Sequence, residues 1–496
     1  MKRALLLLFI PILLFTNPVL AKEADIQDEI FYDILIDRFN IGDHDLSDQV
    51  RSDDPFAYHG GDLQGIIHKL DRIEKLGFTA IILSPIQENA KDGYHGYWIE
   101  DFYKVNQEFG TMDDLRQLIE EAHQRDIKVV LELVTNYVSL SHPFINETEK
   151  QDWFKQNQVK QTPATSWLEN VAVLDQDHQE VEQYLIDVAK YWMNETNIDG
   201  FKLHDADQSS ESFLNNLTQE IKRINPNFYL LAGVSEDRAN TEMLYNNKNI
   251  DVIEDQELFE AMNEVFTQAG EPITLLHDIW INSEDQRNIL FVDNKNTARF
   301  SNNFAEKGRN ALTTWQLAFV YLYTTPGVPV IFQGSELPMY GPSYQESQYL
   351  VRFNATNPDI EEFHERISAL RKEFKPLTHG DFEYVDSAGA MSVFKRSYEG
   401  ETMYIAINND NVSQTVIVKD IATGQELRGF LQDDLVREVN DGEYRINVPR
   451  ESAEVFIVQE DTGINWLFIG MILGVFILFV GFIVYLTRQQ KKESPQ

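Results

Sequence analysis

DGYHGYWIEDFYKVNQEFGTMDDLRQLIEEAHQRDIKVVLELVTNYVS, residues Asp92–Ser139, contains an aromatic turn, then a helix pattern over Met112–Arg125, then a short apolar run at Lys128–Val134. An amphipathic helix that delivers the chain into a strand-like run is half of a β–α–β unit. The same alternation continues in both directions. Strand-like runs occur at Phe31–Ile36, Thr79–Leu83, Gly200–Leu203, Phe228–Ala232, Asp251–Ile253, Asn288–Val292 and Val328–Phe332. Helix patterns lie between and after them, at Leu63–Leu76, Gln179–Asn194, Ser212–Arg223, Arg309–Tyr323 and Glu361–Phe374. With the run at Lys128 this makes eight units, which predicts parallel strands joined by crossover helices. Periodicity alone leaves a closed barrel and a doubly wound sheet open.

After Pro376 the pattern changes. Alternating runs at Met391–Arg396, Thr402–Ile407, Ser413–Val418, Tyr444–Val448 and Glu454–Val458 predict a separate antiparallel β domain over 377–459. The ends of the chain differ again. Residues 1–21 combine Lys2 and Arg3, an apolar run Ala4–Phe15 and a small Ala21, the layout of a cleavable secretory signal. Ile464–Leu486 carries no charge, is long enough to span a bilayer, and is followed by Arg488, Lys491 and Lys492 in a short tail, 487–496. These ends predict a cell-membrane protein with one spanning helix, a large N-terminal part outside and the tail inside.

Composition narrows the partners. The chain has 42 Lys and Arg against 80 Asp and Glu, a net charge of −38. That field repels nucleic acid and anionic lipid headgroups. There is no cysteine, so neither internal disulfides nor a disulfide-linked subunit can form.

The quoted stretch closely resembles the second and third barrel units of glycoside hydrolase family 13, the α-amylase family. DILIDRF from Asp33, GGDLQGIIHKLDRIEKLGFTAIILSP at Gly60–Pro85, PGVPVIFQGSE at Pro326–Glu336 and LRKEFKPLTHGDF at Leu370–Phe382 resemble it as well. The resemblance implies a TIM barrel over 25–376 with a short insertion, 138–174, after the third strand, and a C-terminal β-sandwich. The site would lie at the C-terminal rim of the barrel strands.

Family members cleave glycosides with two carboxylates about 5 Å apart, one a nucleophile and one a general acid. Here the positions that the resemblance assigns to that chemistry are altered. His204 closes Gly200-Phe201-Lys202-Leu203-His204, where the family places an aspartate nucleophile. Gly233 in Ala232-Gly233-Val234 stands for the glutamic acid, and Asn296 in Asn294-Lys295-Asn296-Thr297 for the third carboxylate. Glu132 and Tyr137 replace an aspartate and a histidine of the third-strand motif. The expectation is therefore a rim lined by Lys202, Lys295 and His204, with no catalytic residues and hostile to a developing sugar cation. Asp205 is the rescue candidate, but strand alternation turns it away from the axis unless a bulge intervenes. Glu236 and Asp237 are expected on a solvated loop.

For binding, the resemblance implies a sugar platform of His95, Tyr97 and Trp98, joined by Lys202 and Lys295; packing of the rim is the competing explanation for the aromatics. No cofactor is certain. Calcium ligands are implied at Asn136, and at Asp43 with Asp62 for a second ion, although Gln208 replaces the family's histidine neighbour. The functional expectation is a cell-surface protein without catalysis that binds or senses an α-glucan or malto-oligosaccharide. Two alternatives stand beside it: an active hydrolase with relocated acids, and an interaction subunit of a membrane complex, for which Gly470, Gly474 and Gly481 could face a partner helix.

Overall fold

The computed structural model describes residues 25–43, 50–155, 170–238, 240–282, 287–440, 442–461, 463 and 466–492. The expected signal segment 1–21, residues 156–169 of the insertion and residues 464–465 of the expected span lie outside the described residues.

Eight short strands close into a parallel barrel: β1 (Phe31–Ile34), β2 (Ala80–Leu83), β3 (Lys128–Leu133), β4 (Gly200–Leu203), β5 (Tyr229–Ala232), β6 (Val252–Glu254), β7 (Asn288–Leu290) and β8 (Val328–Phe332). Each pairs with its successor, and β8 returns to β1 through Phe31 opposite Val330. The barrel is thus the outcome of the choice that periodicity left open. Every residue of β1, β2, β4, β5 and β8 is buried, because crossover helices cover the outside and side chains fill the inside.

Alternation along each strand then builds the interior in layers. Phe31, Ala80, Ile82, Val130, Tyr229 and Leu231 belong to an apolar plug inside the barrel. Gly200 belongs to this layer: a Cβ there would lie 2.7 Å from Tyr229 Cβ and 3.1 Å from Val130 Cγ2. One step further along the same inward rows stand Asp33, Glu132, Lys202 and Glu254, so the apolar plug ends in a charged layer at the rim.

The predicted helix Leu63–Leu76 is two helices, Leu63–Ile67 and Leu70–Lys75, broken at His68-Lys69. Met112–His123 is one helix, opened by a capping box in which Thr111 and Asp114 bond each other's backbone N–H groups. In the insertion, Tyr137–Ser139 pairs antiparallel with Val171–Val173.

The C-terminal domain is an eight-stranded antiparallel sheet in the order Asp381–Ala388, Met391–Tyr398, Glu401–Asn408, Ser452–Glu460, Gln425–Gly429, Leu435–Asn440, Glu443–Val448, Gln414–Val418. Its last strand packs back on its first, enclosing Met391, Val393, Val416, Leu427, Ile446 and Phe456. Arg396 ties the domain to the barrel: its guanidinium donates to the carbonyls of Thr324 (2.6 Å), Leu377 (3.2 Å) and Gly380 (3.0 Å). Beyond this domain runs a 27-residue helix, Trp466–Lys492. Its stretch Ile469–Leu486 has mean hydropathy 2.8 with none of it buried, long and apolar enough to cross a membrane.

Candidate functional site

The charged layer at the rim is a network of paired acids and bases, which corrects the expectation of a rim lined with bases alone. Glu132, 1% exposed, accepts from the Tyr97 hydroxyl (2.8 Å) and from His204 Nδ1 (2.8 Å) on one oxygen and holds the Lys295 ammonium on the other. Lys202 Nζ lies 2.7 Å from Glu254 and 3.6 Å from Asp33, and Lys295 Nζ lies 3.8 Å from Asp33. Three buried carboxylates therefore face two ammonium groups and an imidazole. Glu132 stands in an altered motif of the sequence, but Asp33 and Glu254 went unseen as site residues because they lie outside those motifs. Their shared signal was a charged residue at the C-terminal end of a barrel strand.

Protonation follows from these pairings. Burial alone would raise the Glu132 pKa, but Lys295, His204 and Lys202 outweigh it and hold the carboxyl well below its usual range. Burial would lower the Lys202 pKa; Glu254, Asp33 and Glu132 reverse this and keep it ammonium. His204 shows the same contest. Burial lowers its pKa, while Asp205 and Glu132 raise it past its ordinary value against Lys295.

Past the end of β4 the chain turns sharply. Asp205 adopts φ 42°, ψ 50°, the left-handed region, and strand alternation stops applying to it. The Asn136 amide fixes this turn by donating to the His204 carbonyl (3.1 Å) and the Asp205 carbonyl (3.0 Å). The Asp205 side chain consequently faces the rim, with Oδ2 3.4 Å from His204 Nε2 and 21% of the side chain exposed. The expectation that it points away is corrected: a left-handed residue does what a bulge was needed for. Burial, followed by the Asp207, Glu132 and Glu254 charges, raises its pKa, with His204 opposing. Tyr137 Oη sits 2.7 Å from the same Nε2. A carboxylate accepts only, so Nδ1 carries the proton toward Glu132, and the neutral ring takes the Tyr137 O–H at Nε2.

Above this network opens a cavity of about 450 Å³, whose walls include Glu132, Tyr137, Lys202, His204, Asp205 and Glu254. Gly233, Asn296 and Lys295 line it too, as do Glu236 and Asp237 at its exposed mouth. The three altered positions thus converge on one cavity. Gly233 lies close against β4: a Cβ there would be 3.1 Å from the Leu203 carbonyl oxygen, a tight contact, and 3.7 Å from Lys202 Cε.

The expected sugar platform is placed differently. His95 and Tyr97 are buried, at 1% and 0% exposure, and neither they nor Trp98 are among the cavity walls. His95 Nδ1 accepts the Tyr97 backbone N–H (3.0 Å), and its ring stacks on Tyr97 at 5.5 Å and meets Trp98 edge-on at 4.7 Å. Tyr97 therefore reaches the site from beneath, through its hydroxyl on Glu132.

The implied calcium ligands do not fit an ion. The Asp62 carboxylate caps a helix, accepting from the backbone N–H groups of Gly65 (2.6 Å), Gly42 (3.0 Å) and Asp43 (2.8 Å). Asn136 spends its carbonyl oxygen on Gln176 Nε2 (2.9 Å) and Ser209 Oγ (3.1 Å). Gln208 is turned to Asp207 (2.8 Å) and Ser235 (2.7 Å). Among the described residues, no group of three or more His, Cys, Asp or Glu is placed to hold a metal ion.

Comparison with known proteins agrees with the fold. Residues 33–376 match the α-amylase catalytic domain family and residues 380–456 the α-amylase C-terminal domain family. A cyclomaltodextrinase of a Bacillus species is 27% identical over 455 residues, covering 81% of this chain and 76% of its own. A Paenibacillus polymyxa beta/alpha-amylase is 28% identical over 472 residues, 89% of this chain but only 38% of that longer protein. Among solved structures, an Anoxybacillus α-amylase superposes with TM-score 0.84 at 37% identity, covering 89% of this chain and all (100%) of its own. A Geobacillus thermoleovorans α-amylase complexed with acarbose gives TM-score 0.81 at 38% identity over the same shares, 89% and 100%.

Proposed function

The chain belongs to the α-amylase family, and from that footing we propose that its rim cavity takes an α-glucan chain without cleaving it by the family's two-carboxylate route. One observation carries the second half: His204, Gly233 and Asn296 converge on the cavity where two facing carboxylates are needed. Glu132 and Glu254 do not substitute for them. Both are held by buried ammonium groups, and Glu254 also accepts the Val234 N–H (3.0 Å). Losing one member of such a catalytic set costs roughly four to six orders of magnitude in rate. The sugar part of the reading rests on the cavity's size, its amide and hydroxyl lining and the Phe259 and Tyr137 rings, a mixture suited to pyranose faces and hydroxyls. The acarbose complex of the Geobacillus relative supports it.

A second reading is hydrolysis through relocated groups. It is favoured by the relatives, which are named as α-amylases and cyclomaltodextrinases, and by Asp205, whose carboxyl the left-handed turn delivers to the cavity. Release of reducing ends from maltoheptaose by the purified chain separates the two. The first reading expects none above a protein-free blank. Turnover that Asp205→Asn abolishes establishes the second.

The 27-residue helix supports attachment of the barrel to a membrane, and we include that in the proposal.

A further inference from the structure

We infer that Tyr137, His204 and Glu132 form a nucleophile–base–orienter relay in which the Tyr137 oxygen can take up a glycosyl group. This rests on the second reading, hydrolysis through relocated groups, and names its nucleophile. Three observations point to it. Glu132, His204 and Tyr137 are joined in series, Oε1 to Nδ1 at 2.8 Å and Nε2 to Oη at 2.7 Å. All three line the cavity on which the altered family positions converge. The order is fixed, because Glu132 is itself held by Lys295 and by the Tyr97 hydroxyl at 2.8 Å, so the imidazole presents Nε2 and not Nδ1 to the phenol.

This is the logic of a carboxylate–imidazole–hydroxyl triad, with a phenol in place of an alcohol. A phenol is a workable glycosyl acceptor, since tyrosine serves as the nucleophile of sialidases. The phenol is buried, and burial raises its pKa, as do the charges of Asp205 and Glu132, so it does not ionise alone. It needs the base that touches it.

The step balances as follows. His204 Nε2 takes the Tyr137 proton as Oη bonds to the anomeric carbon. The glycosidic C–O bond breaks, and the departing oxygen takes the carboxyl proton of Asp205. Water then gives a proton to the Asp205 carboxylate while its oxygen displaces Tyr137 from the anomeric carbon, and Oη recovers its proton from His204. Asp205 stands 3.4 Å from Nε2 on the wall of the same cavity, and its raised pKa suits the acid role.

The test uses the full chain in detergent micelles with 5-fluoro-α-D-glucosyl fluoride, a donor whose glycosyl adduct hydrolyses slowly. Mass spectrometry of the digest is expected to find a glycosyl adduct on the peptide holding Tyr137. Tyr137→Phe, which has no oxygen to glycosylate, should give no adduct, and His204→Gln should slow adduct formation at least about 100-fold, with urea midpoints confirming that both variants fold. No adduct on the wild-type chain, an adduct on the Asp205 peptide instead, or equal labelling of Tyr137→Phe would each overturn the relay. An unlabelled chain that still hydrolyses maltoheptaose would overturn the relay while leaving the second reading standing. An unlabelled chain with no turnover would remove both.

Discussion

At the scale of single residues, Glu132 decides the state of the site. Among the described residues it is the one carboxylate that meets Lys295, His204 and Tyr97 together. Breaking a buried ion pair from one side leaves the other charge stranded and costs about 3–5 kcal/mol. Glu132→Ala should therefore lower unfolding free energy by about that amount in urea titration. Glu132→Leu with Lys295→Met should cost less than Glu132→Ala alone, because no ammonium is left without its counter-ion. His204 adds a pH dependence. Its folded pKa is raised above the ordinary histidine value of about 6.5. Its stabilising contribution is then fully present below that value and is lost as pH rises through the folded pKa. Urea unfolding of wild type and His204→Gln should differ most at about pH 5.5 and less at about pH 9. The altered positions were legible because 204, 233 and 296 sit in motifs whose neighbours are kept. The compensating charges were not, since Asp33 and Glu254 matter only once strands distant in sequence are brought into one ring. Asp205 was misjudged for a related reason: alternation governs strands, and β4 ends at Leu203.

At the scale of elements, most barrel strands were legible because runs buried on both faces stand out as continuous apolar stretches. Where the structure departs, burial explains it. Leu63, Ile66, Leu70 and Ile73 are all buried, so the helical period continues across the break at His68-Lys69, where neither proline nor glycine marks an end. The strands Asp381–Ala388 and Leu435–Asn440 contain no fully buried residue, and each alternates exposed and half-buried positions over only its first four residues, so their period-two signal is short. Gln425–Gly429 is hidden by its polarity: Glu426, only 3% exposed, is matched to Arg437 (3.0 Å) and Gln459 (2.8 Å) on flanking strands. The start of Leu63–Ile67 carries its own prediction. Asp62 caps that helix and also holds the Gly42 and Asp43 N–H groups, so it works as a structural anchor and not as an ion ligand. Asp62→Ala should cost about 1–2 kcal/mol. Stripping divalent ions with EDTA should leave the melting temperature unchanged, as differential scanning calorimetry would show.

At the scale of the whole molecule, the barrel and the C-terminal sheet are clamped together, and the apolar helix stands apart from both. Arg396 is fully buried and donates across the boundary to the barrel carbonyl of Thr324 as well as to Leu377 and Gly380 at the start of its own domain; burial lowers its pKa to about 9, with Arg371 pushing the same way and Asp381 opposing. By contrast Ile469–Leu486 is wholly unburied, and an isolated apolar helix of that length is costly in water. Membranes from cells making the chain should retain it through alkaline carbonate washing, and a chain cut after Glu460 should appear in the supernatant. Recovery of the full chain in the wash would remove the membrane attachment.

The α-glucan site itself is tested most directly by isothermal titration of the purified full chain with maltoheptaose, wild type beside Asn296→Trp. Asn296 is partly exposed on the cavity wall, so a tryptophan there fills the cavity without breaking the buried charge network. The account predicts saturable binding to the wild-type chain that the tryptophan weakens at least about tenfold, about 1.4 kcal/mol. No heat at millimolar sugar, or equal binding by both proteins, would contradict it.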